Sequence, residues 1–183
     1  MQSPFYQACG VSIRGFQDGQ YNVTFDGIPW MDSNDFTHHS TSYFTNQQTN
    51  SVTVDRGPGT AGTLGNATFG GTISVDSLNP QKQFGINPYI SLGSWETAIE
   101  GATINTGAFT SSGTSAVINL QNSSSDGYLT FAGQRRQTVF AKVVQPLGEN
   151  TTLTFVAMAN ELNQYVPFGV TVYTLGEMAA MSV

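Results

Sequence analysis

The chain has 183 residues, and Ser, Thr, Asn and Gln fill 65 of them, against six Lys and Arg and twelve Asp and Glu, for a net charge of −6. That length suits one domain. So few bases, with Arg135-Arg136 the one adjacent pair, exclude a surface that neutralises nucleic-acid phosphates, and the single Cys9 excludes an internal disulfide.

In chain order, short segments that alternate apolar with hydroxyl or amide residues predict strands over 11–16, 20–27, 51–55, 67–75, 88–92, 102–106, 115–121, 127–132, 138–145, 151–159 and 169–175. Asp18-Gly19 is a two-residue hairpin signal that pairs the first two strands. Tyr21, Val23 and Phe25 share one face of the second strand, with Asn22 and Thr24 on the other. The stretches 31–50 and 56–66 have little periodicity and are expected to be loop excursions. Ser94 to Glu100 reads as one or two helical turns with Ser94 as N-cap, and 159–165 as another. Residues 123–127 make a hairpin connection between 117–120 and 128–131. Pro146 to Asn150 separates two of the longest apolar runs, which must lie side by side or across a sandwich. In the later run Leu153, Phe155 and Ala157 make the inner face. The fold class is therefore all-β with extended loops and little helix, in one domain over 1–183 with short arms at 1–10 and 176–183. A single jelly-roll sandwich or barrel is the simplest closed arrangement.

Chemistry is sparse. His38 and His39, near Asp32 and Asp35, are the one group of metal-ligating types, but neighbouring histidines on an extended chain point to opposite sides. Glu96 and Glu100 are read as a solvated face, and no nucleophile elbow, zinc-protease motif or phosphate loop occurs. The expectation is no enzyme, no metal and no cofactor. Trp30 and Trp95 flank loop signals, where an aromatic face beside amides suits a sugar ring. A lectin-like or receptor-binding sandwich that takes a glycan is the alternative function. No segment approaches the roughly 20 apolar residues of a spanning helix. The start, Met1-Gln2-Ser3-Pro4-Phe5-Tyr6, lacks a secretory signal, so the protein is expected to be made and kept in a cytoplasm.

An all-β chain with no catalytic set, Thr- and Asn-rich strands and extended ends resembles the smaller single-jelly-roll major capsid proteins of icosahedral double-stranded DNA viruses with an internal membrane, the sphaerolipovirus-like group. Residues 1–10 carry no basic arm for direct genome contact. The resemblance implies a capsid shell subunit assembled in the host cytoplasm. It would tile laterally with itself and a second capsid protein, near an internal viral membrane. Pro4, Phe5 and Tyr6 at one end, with Met178, Met181 and Val183 at the other, are the expected assembly contacts.

Overall fold

The computed structural model describes residues 12–31, 44–59, 63–65, 68–129 and 132–165. Over these the chain is all-β with almost no helix, and its strands form two sheets. The small sheet is built from β1 (Asn22–Phe25), β2 (Ile28–Pro29), β3 (Thr49–Asp55) and β4 (Thr72–Ser77), in the order β2-β1-β4-β3. β1 runs parallel to β4, and the other two pairings are antiparallel. The long sheet is an antiparallel meander of β5 (Phe84–Gly93), β6 (Thr97–Ala108), β7 (Ser115–Ser125), β8 (Gln134–Pro146) and β9 (Thr152–Gln164), in sequential order. Every neighbour there is also a neighbour in sequence, so the sheet has none of the long return connections from which a jelly roll is made.

Several expectations shift. Of the strand expected over 11–16, the described residues 12–16 give none: Ile13 and Phe16 close a tight turn through Arg14 and Gly15, both at positive φ. The hairpin signal that acts is Asp26-Gly27, whose φ values of 48° and 78° fit a type I′ turn and pair Phe25 with Ile28. Ser94 to Glu100 is no helix. Thr97 N–H donates to Ser94 O across a turn in which Trp95 and Glu96 both have positive φ, and β6 starts at Thr97. The expected helix over 159–165 yields to long-range pairing, as β9 runs on to Gln164 against β8; of the expected strand over 127–132, the described residues 127–129 and 132 lie in no strand, and β7 pairs with β8. The runs flanking Pro146 to Asn150 do lie side by side, as β8 and β9. The strand expected at 169–175 and both terminal arms lie outside the described residues.

The core joins the two sheets. Phe25 and Val75 of the small sheet cluster with Val117 and Phe140 of the long one, and Trp30, Phe44, Ile73, Leu78, Val156 and Met158 pack around them. Phe140 is fully buried. This contact defines the inward face of the long sheet. By register Asn119, Phe140 and Met158 share it, as do Val117, Lys142 and Val156. The opposite parity therefore points away, and there Leu153 and Phe155 are 58% and 65% exposed. The run expected to face the core faces outward, because alternation identifies two faces but not which of them is covered.

Candidate functional site

The seam between the sheets carries the best-built polar constellation among the described residues. Its acid comes from the β1–β2 turn. The left-handed backbone at Asp26 aims the carboxylate back at the end of β4, where Ser77 N–H donates to Oδ1 at 2.8 Å and Ser77 Oγ donates to Oδ2 at 2.6 Å. Its base comes from β8. Lys142 sits in the run Val139-Phe140-Ala141-Lys142-Val143-Val144, and alternation turns it inward beside Phe140. Its Nζ donates to Asp26 Oδ2 at 3.3 Å, Ser77 Oγ at 3.1 Å and Asn79 Oδ1 at 3.0 Å. An ammonium has three N–H donors, and all three are placed.

Burial sets the strength of this group. The Lys142 side chain is 8% exposed and that of Asp26 21%. Burial alone would raise the Asp26 pKa, but the Ser77 hydroxyl and amide, followed by the charge and hydrogen bond of Lys142, outweigh it and hold the carboxyl below its ordinary 3.8. The Asp26 carboxylate is therefore held ionised at neutral pH, and its bonds to Ser77 and Lys142 tie the small sheet to β8. Beside it, Phe25 and Phe44 stack with ring centroids 4.4 Å apart, and Trp30 tilts against Phe44 at 5.1 Å.

On the same inward face a polar track runs across β5 to β7. Asn119 donates through Nδ2 to Thr103 Oγ1 at 2.8 Å and to the Tyr89 hydroxyl at 3.3 Å. Tyr89 lies over Gly101, where a Cβ would collide with its phenol and with the Leu120 carbonyl. Burial raises the Tyr89 pKa against the opposing Asn119 bond, and burial lowers that of Arg136. Two hollows of about 580 Å³ lie away from the seam, at the polar end of the long sheet. One is lined by Glu100, Leu120, Asn122, Gln137, Val139 and Glu161, and the other includes Glu96, Asp126 and Arg135.

The expected site residues scatter. Trp30 is part of the core around the seam, whereas Trp95 is 59% exposed at the β5–β6 turn, 5.9 Å from the Tyr128 ring. Glu96 lies in that turn and Glu100 on the outward face of β6, while Arg135 and Arg136 point to opposite faces of β8. Pro4, Phe5, Tyr6, Met178, Met181, Val183, Asp32, Asp35, His38 and His39 lie outside the described residues. Among the described residues no cluster of His, Cys, Asp and Glu could hold a metal ion. Asp26 and Lys142 were missed, although both left signals: an Asp-Gly pair between apolar residues, and one lysine inside an apolar run.

A family described as TonB-dependent Receptor Plug Domain matches residues 2–72. Among solved structures, the chain is similar to the pyoverdine outer membrane receptor FpvA from Pseudomonas aeruginosa PAO1 bound to pyoverdine, with TM-score 0.66 and 20% identity over 82% of this chain and 22% of that one. It is similar to P. aeruginosa FpvA bound to heterologous pyoverdines, with TM-score 0.68 and 18% identity over 85% and 20% of the two chains. A structure of the FpvAI–pyocin S2 complex gives TM-score 0.65 at 19% identity, over 85% and 20%. No curated protein matches. The chain thus spans about a fifth of the length of the receptor structures it resembles.

These matches overturn the capsid resemblance. With it go the tiling function and its lectin alternative, the second capsid protein and internal viral membrane as partners, and the location in a virion assembled in the host cytoplasm. The physical cause of the misreading is common to all of them: an uncharged, alternating β chain serves a lateral shell contact and a two-faced sheet equally well. The expectation of no enzyme stands, since the proteins this chain resembles are receptors. Its fold, a small mixed sheet packed against a five-stranded antiparallel meander, is similar to about a fifth of each of those structures.

Proposed function

We propose that this chain is the plug and the first wall strands of an outer-membrane β-barrel receptor. Its ligand would be a siderophore-type molecule taken up in a TonB-dependent way. In this reading residues up to about 78 form the plug and β5–β9 the wall, in place of one jelly-roll domain with terminal arms. The plug match over residues 2–72 and the receptor structures support it.

One observation carries the reading: the outward face of the long sheet is an exposed apolar band. It holds Phe84, Ile86, Ile90 and Leu92 on β5, Ile104 on β6, Ile118 and Leu120 on β7, Val139, Ala141 and Val143 on β8, and Leu153, Phe155, Ala157 and Ala159 on β9. Phe84, Ile90 and Leu92 are 70% exposed or more. A water-facing sheet does not leave such a surface bare, whereas lipid requires it. The band also runs obliquely. In the row Ile90–Glu100–Asn122–Gln137–Glu161, β5 is still apolar while the other strands have turned polar, and at the far end Leu153 extends the band on β9 past Gln145 on β8. Strands tilted by about 40° in a barrel wall produce that slant. Strand lengths of 10 to 13 residues fit a crossing, for which about 9 to 11 suffice. Among the described residues no helix is long and apolar enough to cross a membrane, which leaves strands untouched.

Reconstitution of the complete receptor that would contain this chain into liposomes tests this. Protease should spare the strands and cut the turns, and a lipid-borne quencher should dim a Trp placed at Ala141 but not one placed at Ser91. Release of the protein from the vesicles by alkaline carbonate would refute it.

A further inference from the structure

The wall strands segregate charge in a way that bears on the solute. In a chain with twice as many acids as bases, the acids on β5–β9 are Glu100 and Glu161, and both face outward. The inward face carries Arg136 and Lys142 and no carboxylate among the described strands. These two cations lie six residues apart on one side of β8, about 20 Å along the strand.

The ground around them is hydroxyl and amide. Gln121, Thr138 and Asn160 form one cross-strand row, and Asn119 with Phe140 belongs to the next. Asn119, Thr138 and Gln121 are 0%, 2% and 8% exposed, yet Asn119 Oδ1, Thr138 Oγ1 and Gln121 Oε1 have no hydrogen-bond partner among the described residues. Buried oxygens of this kind ordinarily find donors.

We propose that the inward face of β7 and β8 is a lane for an anionic solute bearing hydroxyl or amide donors, running between Arg136 and Lys142, and that Asp26 stands in for that anion at the Lys142 end while the plug is seated. The inference rests on the proposed function and deepens it. Asp26 gives Lys142 one carboxylate oxygen at 3.3 Å and Ser77, at the end of β4, gives it a hydroxyl, whereas Asn79, the third acceptor, stands in the link that leads to β5. Withdrawing the plug therefore removes two of the three acceptors, the one carboxylate among them, and leaves Asn79. An uncovered, strongly hydrogen-bonding cation then faces the lumen, where a like-charged lining concentrates counter-ions.

The test is ion selectivity in planar bilayers under a potassium chloride gradient, on the complete receptor of which this chain would be the plug and first wall strands. The reversal potential of the wild-type protein's openings should show chloride favoured over potassium by about threefold. Asp26→Asn should raise the open fraction severalfold and keep the anion preference. The double substitution R136Q/K142Q should bring the ratio close to one, and R136K/K142R, which keeps both charges, should restore it. Gluconate, an anion with hydroxyl donors, should reduce the chloride current where mannitol does not. A cation-selective pore, or R136Q/K142Q with unchanged selectivity, overturns the lane alone. An inserted protein that stays closed as Asp26→Asn overturns the masking role of Asp26. Failure to insert into any bilayer overturns the proposed function and the lane with it.

Discussion

The two sheets use the same alphabet with opposite polarity. In the small sheet Val23 and Phe25 alternate with Asn22 and Thr24, and all four are buried. In the long sheet the alternation is just as regular, yet the apolar parity of β9 is bare and the mostly polar parity of β7 is covered. The small sheet obeys the rule for water, with its apolar side closed against a partner. On the proposed function the long sheet obeys the rule for lipid, with its polar groups turned toward the plug and its apolar ones toward hydrocarbon. Residues at the seam serve both regimes, and substitutions there and on each face separate them.

The largest effect is expected at Phe140, the fully buried side chain that the two sheets share. Phe140→Ala should cost about 4 kcal/mol and free the β1–β2 turn for protease while β5–β9 stay protected in lipid. Equal loss of both regions would show that the sheets are one cooperative unit. Next comes Ala141→Arg, one residue along but on the outward face. In bilayers it should destabilise by about 2–4 kcal/mol, measured by denaturant titration, whereas Ser91→Arg on the inward face should stay within about 0.5 kcal/mol. Similar costs at the two sites would erase the distinction between lipid and lumen faces.

Breaking the ion pair comes third. Lys142→Ala should cost about 3 kcal/mol by leaving Asp26 without its counter-charge, and a cycle with Asp26→Asn should show strong coupling. Additive losses would mean that the seam is held by its aromatics alone. The smallest effect is with pH. Asp26 is depressed below its ordinary 3.8, so its contribution to seating is complete above that value and is lost as pH falls through the depressed one. Protease sensitivity of the seam should stay flat down to about pH 4 and rise below it. Asp26→Asn should remove that rise.

Much of the strand pattern was legible. The positions of β1 and β3 to β9 and the near absence of helix follow from alternation and turn residues, whereas the runs flanking Pro146 to Asn150 were open to two arrangements, of which the β8–β9 pairing is one. The helices expected at 94–100 and 159–165 failed because local capping and composition were weighed without the partner strand. Once β7 and β8 supply a continuous ladder, Thr97 to Glu100 and Asn160 to Gln164 extend it. Asp26 and Lys142 lie 116 residues apart, and no local signal reports such a meeting.

Alternation by itself determined that these segments are strands with two chemically distinct faces, because side chains on an extended backbone must point to opposite sides. Which face meets solvent is a property of what surrounds the sheet. That choice was made only when Phe140, Val117 and Lys142 closed on Phe25, Val75 and Asp26, which named the inward side and left Leu153 and Phe155 to the outside.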